Sequence, residues 1–181
     1  SLSGLSKISN TELLFEFYSV YKLNTKKKEQ NNFEDFIKWA NILLNDFDDI
    51  DRELADSDAV FNYLQAINDL DHWSLDEDKT SIVKNYMSFW KDIKVYYSEL
   101  SCHLLNKSKG YQGLIYKEAI NNLESYMSSN SKKLHVFIGF NALYKSESII
   151  VQELLQSEMA KIFWDIDKVN INSEYNSSGH Y

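Results

Sequence analysis

The chain has 181 residues, a formal charge of −8 and a sequence pI near 5.0. That length suits one domain, or one plus an appendage, and the acidity argues against a broadly basic nucleic-acid surface while leaving room for a local patch. A single cysteine, Cys102, excludes a disulfide framework and a thiolate zinc site; it falls in a helical pattern and reads as an unreactive, packed or partly exposed residue.

Proline is absent, where average usage would place about nine, so long helices meet none of the strongest breaker. No apolar run approaches the ~18 residues of a membrane span. The start, "SLSGLSKISN", has neither the basic nor the apolar part of a signal peptide. The sequence therefore predicts a cytoplasmic protein with no membrane partner. Lacking an initiating Met, it fits a processed chain or a piece of a longer one.

In chain order, "NTELLFEFYSVYKL" sets Leu13, Leu14, Phe17, Val20 and Tyr21 on one side of a helix, with Asn10 or Thr11 as its cap. A connector, "NTKKKEQNN", precedes a long helix from Asn32 or Phe33. Its apolar stripe runs Phe36, Trp39, Leu43, Phe47, Ile50, Leu54. Opposite lies "DFDDIDRELADSD", seven acids against one arginine, which reads as a solvated acidic face. "AVFNYLQAINDLDHW" gives a shorter helix, "SLDEDKT" a break, and 80–106 a further long helix. After "NKSKGYQG", "LIYKEAINNLESYM" forms another short helix and "SSNSKK" a hinge.

The pattern changes at Leu134. "LHVFIGF" is a strand, "KSESIIVQELLQ" a helix and "AKIFWDID" a second strand, the order of a parallel βαβ crossover. Two strands do not make a stable parallel sheet alone. The tail "KVNINSEYNSSGHY" is polar. The predicted class is α/β but predominantly helical: a helical lobe over 1–131, a strand–helix–strand edge over 132–168, and a polar tail over 169–181.

Chemistry is sparse. Asp48, Asp51 and Asp58 crowd one stretch, and Asp46 and Asp49 share a helix side, but no E-x-x-H pair accompanies them, as a di-iron bundle requires, and an EF-hand's glycine and final glutamate are missing. His72, His103 and His135 sit in separate elements and His180 in the tail. Among five glycines none opens a P-loop or G-x-G-x-x-G motif, and no G-x-S-x-G elbow occurs. No cofactor, metal or catalytic residue is predicted. Gly139 suits a turn away from the first strand and a close approach to other backbone. Gly139-Phe140 stands where a nucleotide-hydrolysing fold would carry Asp-Glu for magnesium. Asp165 and Asp167 end the second strand, more as strand terminators than as a metal pair. Tyr111 and Tyr116, with Lys107, Lys109 and Lys117, combine aromatics and cations as single-strand binding sites do, although twelve tyrosines in amphipathic helices are mainly a packing inventory.

Several blocks together resemble one family. "NNFEDFIKWANILLNDFDDIDRELAD", "YQGLIYKEA", "VFIGFNALYKSE" and "IFWDID", preceded by "NTELLFEFYSVYKL", look like the AddB-like proteins of Bacteroidetes. These are relatives of superfamily I helicases of the RecB/RecC/AddB group that often carry a PD-(D/E)XK nuclease domain. The resemblance spans roughly residues 5–168. Trp39, Asp46, Phe47, Asp48 and Asp51 match the acidic helical block; Gly139, Phe140, Asn141 and Glu147 match the other. It implies a non-catalytic part of a DNA-repair protein for double-strand-break processing, with a helicase core edge as its fold. Implied partners are further domains of the same polypeptide, a helicase-nuclease subunit, and single-stranded or forked DNA. No family catalytic residue carries over. A protein-interaction module without nucleic acid is the competing expectation.

Overall fold

The first two helices form where the sequence supplies both a cap and an apolar face. In the computed structural model, which describes residues 2–73, 81–140 and 142–164, α1 (Asn10–Asn24) is capped by Ser9, whose hydroxyl accepts from the Glu12 N–H. The predicted cap residues, Asn10 and Thr11, lie inside the first turn instead. Asn32 caps α2 (Phe33–Arg52) by accepting from Asp35 N–H at 2.8 Å. Then come α3 (Ser57–Trp73), α4 (Ser81–Asn106), α5 (Gln112–Asn121) and α6 (Leu123–Ser129). The single short helix expected over "LIYKEAINNLESYM" thus breaks at Asn122. The predicted break "SLDEDKT" and the tail over 169–181 lie outside the described residues.

Aromatic side chains hold the lobe together. Phe17 of α1 is fully buried, and its ring meets Phe36 and Phe47 of α2 and Tyr96 of α4 at 5.2, 6.0 and 6.2 Å, tilted or edge-on, the arrangement ring quadrupoles favour. Tyr21, Tyr96, Tyr97 and Tyr111 are buried as well. Their hydroxyls find partners: Tyr21 donates to the Glu29 carbonyl and accepts from Asn31 N–H, and Tyr96 pairs with the Thr25 hydroxyl at 2.7 Å. Burying a ring while bonding its hydroxyl avoids the cost of an orphaned polar group.

Two small parallel sheets complete the fold. β1 (Ser6–Lys7) pairs with β2 (Lys109–Gly110), tying the N-terminal segment to the end of α4; two residues are too few for alternation to reveal. β3 (His135–Ile138) and β4 (Ala160–Phe163) pair parallel, His135 opposite Ala160 and Ile138 opposite Phe163, with α7 (Lys145–Gln156) between them in sequence. A second core of Leu123, Leu154, Met159 and Ala160 joins α6 and α7 to this pair. Among the described residues the chain is therefore predominantly helical, seven helices with two small sheets. No described helix is long and apolar enough to cross a membrane.

One face of the β3–β4 pair is bare. Alternation turns His135, Phe137, Ala160 and Ile162 inward, and leaves Val136, Ile138 and Phe163 exposed at 53, 73 and 56%. Lys161 shares that face and is exposed too.

Candidate functional site

The acidic end of α2 is not wholly a solvated face. Asp51 continues the buried series Phe36, Ala40, Leu43, Leu44, Phe47 and is only 1% exposed. Its carboxylate accepts from the Tyr97 hydroxyl of α4 at 2.5 Å, from the Tyr111 hydroxyl at 2.6 Å and from the Lys117 ammonium of α5 at 2.9 Å. Lys117 also donates to the Tyr97 oxygen at 2.9 Å. A buried carboxylate is tolerable only when paired and fully hydrogen-bonded. Here three donors from two other elements meet it, so Asp51 locks α2, α4 and α5 in register.

One turn away, Asp48 caps α5 from outside. Tyr111 stands at the N-cap of α5 without a side-chain capping bond, and Asp48 Oδ1 accepts from the Gly113 N–H at 2.6 Å. An anion there complements the unpaired N–H groups and the positive helix end. Asp48 Oδ2 holds Arg52 at 2.7 Å. Gly113 permits the approach: a Cβ there would lie 2.3 Å from the Asp48 carbonyl oxygen and 2.9 Å from the Asp51 Cβ.

From this lock, contacts lead to the strand–helix–strand unit. The Arg52 guanidinium lies 4.8 Å from the centroid of the Tyr144 ring, within cation–π range. Burial first, and the Glu147 carboxylate second, raise the Tyr116 pKa, and Glu147 accepts from the Tyr144 N–H at 3.0 Å, closing the first turn of α7. Residues from "DFDDIDR", "YQGLIYKEA" and "ALYKSE" thus converge at one polar junction. Among the described residues no group of three or more His, Cys, Asp or Glu is placed to hold a metal ion.

The residues suggested for nucleic-acid contact sit as follows. Tyr111 is buried, its ring unavailable for stacking, and burial together with the Asp51 charge raises its pKa well above that of a free tyrosine. Tyr116 is half-buried against α7. Lys107 bonds both oxygens of Glu16, at 2.6 and 2.7 Å, Lys109 pairs with Glu12, and Lys117 with Asp51. Lys107 first, and His103 second, hold the Glu16 carboxyl below its ordinary pKa. Lys107 and Lys109 fasten α1 to the α4–α5 connection, and Lys117 fastens α5 to α2.

Of the remaining singled-out residues, Trp39 packs half-buried against the aromatic core, and Asp46 is exposed. Gly139 does turn the chain with φ 77°, but a Cβ there would meet nothing within 4 Å, so the expected close approach belongs to Gly113 instead. Phe140 is half-buried, its ring 5.8 Å from that of Phe137 and 6.3 Å from that of Trp164. Asn141, Asp165 and Asp167 lie outside the described residues. Cys102 is exposed and free. Sequence reasoning missed the roles of Arg52 and Gly113. Counting by turns along α2, 40, 44, 47, 51, would have shown an aspartate on the buried stripe.

Compared with known protein families, curated proteins and solved structures, the chain matches none.

Proposed function

We propose that this chain is a non-catalytic structural lobe of a helicase-nuclease-like DNA-repair protein, its strand–helix–strand unit forming the rim of a larger α/β core. The bare β3–β4 face carries the reading. Parallel strands occur almost only in sheets covered on both faces. Here one face has α7 and α6 behind it, while among the described residues Val136, Ile138 and Phe163 are exposed. The cover in this reading is a further layer of the same α/β core, and the resemblance to AddB-like proteins supplies its kind. The polar junction then sets the angle between lobe and rim.

The competing role, a protein-interaction module that never meets DNA, is favoured by one observation. The cations grouped near α5 are each held by a carboxylate, and phosphate binding would have to displace those pairs. Fluorescence anisotropy with labelled single-stranded and forked DNA, across a salt series, tests whether this lobe itself contacts DNA. For a rim with structural duty alone, no salt-dependent binding is expected at low salt. Binding that weakens in Lys107→Gln, Lys109→Gln and Lys117→Gln would instead assign the lobe to DNA.

A further inference from the structure

We propose that a cleft of about 460 Å³ between β1, α1, α2 and α5 holds an extended peptide segment of another protein. Three features of its wall point there.

Buried apolar side chains, Ile8, Leu13 and Leu44, line part of the cleft and offer a seat for one apolar side chain. Around them Asn10, Asn45 and Lys7 are exposed and, among the described residues, engage in no side-chain hydrogen bond or ion pair. A carboxamide presents donors and an acceptor together, the complement of a peptide group's own N–H and C=O.

The third feature is a free strand edge. Ser6 and Ile8 donate their N–H groups to the carbonyls of Ser108 and Gly110, so alternation turns the N–H and C=O of Lys7 away from β2. No described strand pairs on that side of β1. An added extended segment satisfies such an edge, its main chain giving affinity and alternate side chains giving selectivity. The other charged residues of the cleft, Asp48 and Arg52, are already paired to each other. Lys7 is then the one uncommitted cation of the lining, enough for a single carboxylate and too few for a phosphate backbone. The ligand is an extended segment with an apolar side chain for the cleft and an acidic one for Lys7.

The test uses the whole chain and a library of fluorescent peptides about eight residues long, blocked at both ends. Selected peptides are expected to combine an apolar and an acidic residue, and to bind about tenfold more weakly to Asn45→Leu and to Lys7→Glu, the effect of losing one or two hydrogen bonds. N-methylation of alternate peptide amides is expected to abolish binding. The proposal is overturned by a library that yields no binder, by binders indifferent to these substitutions and to N-methylation, or by a preference for oligonucleotides at this cleft. Retention of peptide binding by an Ile138→Asp, Phe163→Asp double variant, which alters only the bare sheet face, keeps this result separate from the rim reading.

Discussion

Asp51→Ala is expected to lower the unfolding free energy by about 3–5 kcal/mol, the usual cost of removing one member of a buried, hydrogen-bonded charge pair. Two mechanisms add. The Tyr97 and Tyr111 hydroxyls lose the acceptor they share, and a void opens where α2 meets α4 and α5. Lys117 is hurt less, because its side chain is 40% exposed and rehydrates. Urea unfolding should therefore rank Asp51→Ala worst, with Tyr111→Phe and Lys117→Met, which leaves the buried carboxylate its two tyrosine donors but no counter-charge, each costing less, about 1–3 kcal/mol. A Lys117→Met loss equal to that of Asp51→Ala would mean that the ion pair, and not the buried carboxylate with its tyrosines, dominates.

The same buried hydroxyls set an alkaline limit. Burial raises the pKa values of Tyr96, Tyr97 and Tyr111, that of Tyr96 to about 12 against an ordinary 10.0. For Lys117 burial acts downward, but bonds to Tyr97 and Asp51 outweigh it and leave the group raised. Groups whose folded pKa is raised hold protons that the unfolded chain releases. Their stabilisation is complete below the unfolded values near 10 and is lost as pH rises through the folded ones, for Tyr96 toward about 12. Urea midpoints for the parent chain should fall over that window.

Gly113→Ala is the second large effect, and its sign depends on two opposed terms. Inside a helix alanine is favoured over glycine by about 1 kcal/mol. Against that, the new methyl meets the Asp48 carbonyl oxygen at 2.3 Å and the Arg52 nitrogen at 3.1 Å, both main-chain atoms of α2 that cannot swing aside. Overpacking of this kind costs about 1–3 kcal/mol and sometimes more, and separating the helices also stretches the Gly113 N–H bond to Asp48. A net loss of about 2 kcal/mol is expected by thermal or urea unfolding. Gly110→Ala serves as the comparison, since its closest contacts are side-chain carbons of Ile115 and Leu5 at 3.1 and 3.2 Å. If both glycines tolerate alanine equally, α2 and α5 are not in main-chain contact.

Much of the helix pattern was legible because apolar residues recur at helical spacing in a chain without proline. The strands at 135–138 and 160–163 were legible for a related reason: short apolar runs flanking an amphipathic helix. What the pattern hid was polar. Asp51 reads as one more charge in an acidic run, because seven acids so close together suggest solvent; only tertiary packing distinguishes the one that turns inward. Tyr111 and Lys117 looked like a stacking residue and a cation for a polyanion, yet their partner is a carboxylate 60 or more positions earlier. Nor does spacing announce that Gly113, and not Gly139, stands against foreign backbone. Long-range pairing decides each of these, and periodicity carries no information about it.

Among the described residues the β3–β4 face is an uncovered surface. Titration with an apolar fluorescent dye, comparing the parent with the Ile138→Asp, Phe163→Asp double variant, tests it most directly. The predicted result is strong dye binding by a natively folded parent and its loss in the variant, with unfolding free energies within about 0.5 kcal/mol of each other, as for surface substitutions. A dye-silent parent, with a variant destabilised by several kcal/mol, would show instead that the face is already inside a core.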